Sequence, residues 1–511
     1  MAKLKFGRLG WNRVSPTQEL LSTQDGFVEF SELTNYVARN KKIKKIGGTV
    51  AYNSTSLGTL SVPWVERSYH IQGDGTIVNR THVFYNGSIY SGDDVAGTFT
   101  EREKDLTANT IPTSFSMQVA GNSILFFLTG ADKIRTYDGN GSFAWNESDL
   151  DAVDYDTGVV HLDRAWYIKK QTSQVDYSEA LLPETIEDSI IVGQDKDSFN
   201  RAMVIGANET LYIFKNNSIY QLYGRTPATF QLREVTDKYG LAAKRAIYPV
   251  ANGFVFLDEF TKELYFFGGT EASIKPLTED KVRLREIIDL TTDSIANTTM
   301  TMHDGLFRFA FQHKEDVDVG DYNRSELIYP IHEPGPDGLP KWSLIRGTNV
   351  LSYSNWNKYG DKEELVTGRS DIGKIMYHNR GFDFDGNSIL TVARTAEVTA
   401  SEDKVVRFTG FYVKGKPGSI NTTSLFRYYV NGKFSDRGEH VLNLDGEVRL
   451  VGEMSIQTQS LFNDRINPFT ASNRGNSISF EIRDDNNATE LEIYSIAFKA
   501  AERYKIRNQL T

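Results

Sequence analysis

Seven times along the chain an apolar strand opens a tight hairpin, and the openers recur at a nearly fixed distance. They are Val83, Ile124, Trp166, Leu211, Phe254, Phe307 and Leu351, with successive spacings of 41, 42, 45, 43, 53 and 44 residues. A period in the low forties made of strands alone is the length of a four-stranded propeller blade. The hairpins are legible in the turn chemistry. Val83–Tyr90 has Asn86-Gly87 at its centre, the pair that supplies positive φ at both turn positions. Leu211–Gly224 turns at Lys215-Asn216-Asn217, and Phe254–Leu257 is followed by Glu263–Phe267. The 53-residue step contains Leu277–Asn297, which reads as an insertion. No WD, kelch or leucine-rich consensus is present, so the repeat lies in pattern rather than in letters. The expectation is an all-β chain with a β-propeller of about seven blades; six or eight fit the same spacing. Gly47–Tyr52 is the candidate strand to close the ring with a late blade. Only Ser178–Ile186 and Glu279–Leu290 suggest helix, and both are short.

The period ends near Phe382–Asn387. Longer alternating segments follow: Leu390–Val398, Val405–Val413, Leu425–Val430, His440–Leu444, Ser477–Ile482 and Leu491–Phe498. Turns such as Asn431-Gly432 and Asp484–Asn487 separate them, which reads as an antiparallel β-sandwich. The expected division is a basic N-terminal arm or docking segment at 1–47, a propeller at 48–387, a sandwich at 388–500 and a polar tail at 501–511.

Composition narrows the chemistry. The 511 residues include no cysteine, which excludes disulfides, thiolate metal sites and a cysteine nucleophile and fits assembly in a reducing compartment. The longest apolar runs, such as Ile124–Leu128, are about five residues, whereas a spanning helix needs about 20. The opening Met1–Gly7 has no apolar signal region, so no export is expected. Net charge is −10, which argues against general nucleic-acid binding. Residues 1–50 depart from this, with nine Lys/Arg against four acids. Asn40–Ile46 carries Lys41, Lys42, Lys44 and Lys45. Three readings stand for it: a solvated edge strand whose lysines block aggregation, a nucleic-acid patch, or a strip that docks on an acidic neighbouring subunit.

Catalytic motifs are missing. There is no G-x-S-x-G elbow, phosphate loop or H-E-x-x-H, and the eight histidines show no short metal-ligand spacing. A glycosidase on a propeller axis needs paired carboxylates, and Asp163, Asp258, Glu259 and Asp304 are the candidates. Two stretches resemble calcium loops, Asp138–Asp149 and Asp383–Asn387; the first has Phe143 where the loop needs glycine, and both read more simply as turns. Trp342, Trp356 and Tyr359 are candidate receptor or glycan contacts, set against ordinary core filling. No catalytic residue, metal or cofactor is expected.

Several segments together resemble a known group. They are Asp25–Asn35, Lys44–Thr49, the hairpin Thr210–Gly224, the small-residue approach Tyr239–Ala246 leading into Ala251–Leu257, the Gly268-Gly269 turn, and Glu271–Leu277. With the closing strands Asn476–Ile482 and Glu490–Phe498, they look like tail-hub and nozzle proteins of short-tailed bacteriophages, of the packaged-DNA-stabilisation type. The resemblance implies a structural virion protein assembled in the host cytoplasm. Its partners would be copies of itself in a ring, commonly six, with portal, adaptor or adjacent tail proteins above and fibres or spikes attached. It also implies that DNA passes without sequence-specific binding; an acidic wall would repel phosphate over roughly 8 Å at physiological salt. The alternatives are a receptor- or glycan-binding virion protein and, behind it, a propeller glycoside hydrolase. The motifs specify strands and turns, so no site residue follows from them.

Overall fold

In the computed structural model, strand pairing closes seven blades into a ring. The residues described are 2–5, 12–13, 29–71, 74–93, 97–139, 144–193, 198–207, 209–319, 325–335, 338–356, 364–399, 406–416, 423–431, 433–443, 462–466, 474–475, 477–485 and 491–502. Blades 1 to 6 occupy 64–103, 113–147, 155–191, 200–236, 247–276 and 299–346, each with four antiparallel strands in chain order. Blade 7 takes Val350–Trp356, Glu364–Arg369 and Ile375–His378 from the end of the ring and Thr49–Ala51 from its beginning. The first strand of each blade is innermost. Inner strands lie against one another between blades 2 and 3, 3 and 4, 5 and 6, 6 and 7, and 7 and 1.

Why these residues make blades is visible in the packing between them. A four-stranded antiparallel sheet here has apolar side chains on both faces, and neither face can be left wet. Trp64 of blade 1 meets Phe127 of blade 2 at 4.7 Å between ring centroids; Phe115 of blade 2 meets Tyr167 of blade 3 at 5.8 Å. Phe214 of blade 4 meets Phe256 of blade 5 at 5.6 Å. Each such side chain, fully buried, is worth about 1.5–3 kcal/mol in transfer free energy. Asn86 and Gly87 hold φ of 47° and 79°, the hairpin geometry the sequence indicates.

The expected closing strand is in place. Val50 pairs with Tyr377 and Thr49 with His378, and Gly48 N–H donates to Gly381 O at 3.1 Å. Across the adjoining seam, Val62 N–H donates to Arg369 O at 2.8 Å and Ser352 Oγ to Val62 O at 3.1 Å.

Four expectations change. Ser178–Ile186 is no helix: it spans the turn between the strands Gln174–Glu179 and Leu182–Ile191, where Leu181 takes φ of 60°. Glu279–Leu290 contains only one 3-10 turn, Leu284–Glu286, and the Leu277–Asn297 insertion ends in the short α-helix Thr292–Ala296. The last hairpin opener, Leu351, lies on an inner strand, whereas the other six lie on second strands; in blade 7 that place belongs to Glu364–Arg369. The basic arm is built into the sheets from Phe30 onward. Phe30–Thr34 bridges the outer strand of blade 6 (Thr34 to Leu344, parallel) and Thr391–Thr395 (antiparallel). Tyr36–Arg39 and Lys42–Lys45 form a hairpin that pairs with Glu492–Glu502. The apolar residues Phe30, Leu33, Tyr36 and Ile43, all fully buried, drive this.

The C-terminal strands make two sheets. One joins Thr391–Thr395, Ser477–Asp484, Thr423–Val430 and Lys433–Asn443; the other joins Val406–Lys416, Glu492–Glu502 and Phe462–Ile466. They face each other through Phe480 and Phe498, 5.7 Å apart, with Phe426 and Ile496 in the same core. No helix among the described residues is long and apolar enough to cross a membrane.

Candidate functional site

Inner strands all start at one end of the ring, and the loops before them converge on the axis there. At this mouth lies a cavity of about 230 Å³. Its wall comes from blades 2, 3 and 4, the crossover into blade 5 and Ala296 before blade 6. Asn109 and Thr110 precede the inner strand of blade 2, and Asp156 sits on that of blade 3. Lys170 follows the second strand of blade 3, and Phe199, Asn200 and Arg201 open blade 4. Lys244 comes from the crossover into blade 5.

Small residues let that crossover reach so far inward. A Cβ on Gly240 would stand 2.0 Å from Asn216 O, and Ala242, Ala243 and Ala246 are buried. The crossover therefore delivers two adjacent cations to the axis. Lys244 Nζ reaches Asp156 Oδ1 of blade 3 at 2.6 Å. Arg245 Nη1 donates to Pro63 O, before blade 1, at 2.5 Å, while its Nε and Nη2 are buried with no hydrogen-bond partner. These two contacts span the ring, so the mouth is bridged rather than open.

The electrostatics are those of a crowded cation cluster. Burial lowers the Lys244 ammonium, with Arg245 and Lys170 pushing the same way and Asp156 opposing. Burial also draws the Arg245 guanidinium down to about 10, still charged at neutral pH. Arg201 is lowered by burial against the pull of Glu259 and Asp156, and its guanidinium lies 4.4 Å from the Phe199 ring centroid. Neither Lys170 nor Arg201 makes a side-chain ion pair within 4 Å among the described residues. One carboxylate, Asp156, thus faces three lining cations in a chain whose net charge is −10.

The carboxylates weighed for glycosidase chemistry are not brought together. Asp163 and Asp304 occupy turns between first and second strands, with φ of 58° and 50°, at the end of the ring away from the mouth. Asp258 and Glu259 lie between second and third strands, at the mouth end. A blade strand of five or six residues separates the two ends by roughly 17–20 Å. Asp258 is fully buried and accepts from the backbone N–H groups of Gly240, Phe260 and Thr261, a staple for its own loop. Glu259 pairs with Lys262 at 3.0 Å. In the second loop considered for calcium, Asp383 Oδ1 accepts from Gly386 N–H, and Asp385 Oδ2 is taken by Arg369 and Lys374 at 3.1 and 2.7 Å. Of the first loop, Asp138 follows the strand Arg135–Tyr137 and Asp149 follows Asn146–Glu147, while Asn140, Ser142 and Phe143 are outside the described residues. No group of three or more metal-ligating side chains occurs among the described residues. Trp342 is fully buried, with Nε1 donating to Leu277 O at 2.9 Å, so it fills core; Tyr359 and the Trp356 side chain are outside the described residues.

Two of the four strip lysines pair within the chain. Lys45 and Asp484 form a 2.8 Å pair with both side chains 1% exposed, and Lys42 meets Glu492 at 2.7 Å. Their carboxylate partners belong to the C-terminal strands of the same molecule. Two histidines do meet, although their sequence spacing gives no sign of it. His70 Nε2 and His82 Nε2 both bond the Ser68 hydroxyl, at 2.7 and 2.8 Å, and His82 Nδ1 bonds Ser91 Oγ at 2.8 Å. Burial lowers both rings, which favours their neutral form in the joint between blades 1 and 2.

Sequence comparison finds no matching family model and no matching curated protein. Among solved structures, the chain is similar to a streptogramin B lyase at 15% identity and TM-score 0.41, over 64% of this chain and 96% of that one. It is similar to BamB from Moraxella catarrhalis at 12% and 0.37, over 67% and 92%. For YCF48 from Cyanidioschyzon merolae the values are 10% and 0.39, over 65% and 98%. At such values the propeller assignment rests on the strand pairings given above.

Proposed function

We propose that this chain is a structural subunit of a phage tail, a hub or nozzle protein that packs in a ring with copies of itself and carries fibres or spikes, and that it makes and breaks no bonds. The resemblance of its segments to tail-hub and nozzle proteins motivates this reading. One observation in the structure supports it most: the described N-terminal strands and the C-terminal strands are woven together into a two-sheet platform that continues the outer edge of blade 6. One of the chain's fully buried ion pairs lies in that platform. Lys45 with Asp484 joins the two sheets of the platform, and Asn35 ties it to blade 6, its N–H donating to Leu344 O and its Oδ1 accepting from Arg346 N–H, both at 2.8 Å. A rim-mounted platform suits load transfer between subunits. Carboxylates dispersed to opposite ends of the ring do not suit glycoside hydrolysis.

The test is imaging and native mass measurement of the full chain, alone and mixed with neighbouring virion proteins. Closed rings of one stoichiometry in the mixture are expected. A chain that stays monomeric with every such neighbour, or that cleaves a glycan, would sink the proposal.

A further inference from the structure

We propose that the cavity at the propeller mouth binds a small hydroxylated anion, a sugar acid or sugar phosphate, with its oxyanion held by Lys170, Arg201 and Lys244. This goes beyond the structural role and does not depend on it. Three features argue for it. The first is charge. In an acidic protein, cations from three separated chain segments line one cavity, and they are offset by one lining carboxylate, Asp156, with Glu259 acting on Arg201 from outside the lining. Folding brings these like charges together at an electrostatic cost, and an anion in the cavity relieves it.

The second is unmet hydrogen bonding. Buried polar groups are rarely left unpaired, and each one that is asks for a partner. Asn200 is 3% exposed and lines the cavity, yet its Oδ1 has no hydrogen-bond partner. It needs a donor, which a hydroxyl supplies and a bare oxyanion does not. Arg201, which also lines the cavity, has its Nε buried without an acceptor. One lining donor and one lining acceptor are thus unmet, which matches a ligand with an anionic end and a hydroxylated body.

The third is size and rigidity. About 230 Å³ lies below the usual range for drug-sized ligands, roughly 300–1,000 Å³, and suits a single sugar ring. The walls are held from several sides: Thr113 Oγ1 donates to Asp156 O at 2.8 Å, and Asn200 Nδ2 donates to Gln174 O at 3.3 Å.

Isothermal titration calorimetry on the full chain tests the assignment with four probes: glucuronate, glucose 6-phosphate, inorganic phosphate and glucose. One or both of the hydroxylated anions should bind at least tenfold more tightly than glucose and than inorganic phosphate. Arg201→Gln and Lys170→Gln should each weaken that binding about tenfold or more, the loss of one charge-assisted contact. Lys170 is exposed, so its replacement leaves the thermal midpoint unchanged and separates binding from folding. Absence of heat with both hydroxylated anions overturns the proposal. So does equal binding of glucose, or affinity that survives the double replacement. Inorganic phosphate binding as tightly as glucuronate would remove the hydroxyl half of the assignment.

Discussion

Single buried charges govern how this molecule responds to pH and substitution. Arg308 and Glu326 are both fully buried and paired at 3.2 Å, with Tyr353 OH donating to the same carboxylate at 2.5 Å from blade 7. Removing one partner strands the other, so Arg308→Met should destabilise by about 3–5 kcal/mol, whereas Arg308→Met with Glu326→Leu should recover most of that. Urea titration checks both, and a double variant no better than the single would contradict the argument. Glu66, on the inner strand of blade 1, is pushed up to about 7 by burial, against one hydrogen bond from Ser114. A carboxyl raised in the folded state binds more protons there than when unfolded. Its favourable contribution is therefore complete below pH 4.5 and is lost as pH rises through 7. Glu66→Gln should melt higher than the parent at pH 8 and no higher near pH 4, read by a thermal-midpoint series. His378, drawn down to about 4 by burial, acts with the opposite sign: stability falls as pH drops from 6.5 toward 4. None of these partners was legible in sequence. Arg308 meets Asn379 at 3.1 Å, and Lys244, in the crossover from blade 4 to blade 5, meets Asp156 of blade 3; such pairings depend on how blades pack against one another, which local spacing does not encode. What could be read was the run of small residues around Lys244-Arg245, whose role in carrying two cations to the axis only the fold reveals.

At the level of the element, the closing strand Thr49–Ala51 is the joint on which the ring turns. It pairs with Ile375–His378, and the two glycines before it pass against the backbone beyond blade 7. A Cβ on Gly48 would lie 2.0 Å from Asp383 O, and one on Gly47 would lie 2.9 Å from Asn379 Cα. Gly48→Val should therefore cost about 1–3 kcal/mol or more and loosen the seam. Hydrogen exchange should speed up at Ile375–His378, while blades 3 and 4 stay protected. Val50→Ala, at an exposed position of the same strand, should change stability by less than about 0.5 kcal/mol. Uniform faster exchange round the ring after Gly48→Val would instead mean that closure has no local lock. Elements were where sequence spoke most clearly. Asn86-Gly87 marked a hairpin, and the six second strands fell at the regular spacing because a blade has a fixed number of strands to thread. Periodicity misled at Ser178–Ile186, where a two-strand turn with irregular register mimics a helical face. It also missed Phe30–Thr34, whose partners lie more than 300 residues away along the chain.

For the whole molecule, the decisive fact is that its first described strands find their partners last. Thr49 waits for His378, Leu33 for Ala393 and Lys44 for Glu492. Contacts of such sequence separation pay their loop-closure cost before any reward, so folding is expected to be slow and late. The two closures are separable, however. The ring needs only 49–378, whereas Phe30, Leu33 and Tyr36 are covered by the C-terminal sheets and the edge of blade 6. A chain cut after 387 but keeping its N-terminus would leave those side chains and an unpaired strand edge exposed, a setting for aggregation. Residues 48–387 alone lose both the strands and their partners and keep the closing strand. The expected outcome is that 48–387 is recovered as a soluble monomer with one cooperative thermal transition, while 1–387 aggregates at the same concentration. Size-exclusion chromatography with light scattering decides between them. If 1–387 behaves as well as 48–387, the N-terminal strands are not held by burial against the C-terminal sheets, and the platform is an accessory to the ring rather than part of one continuous body.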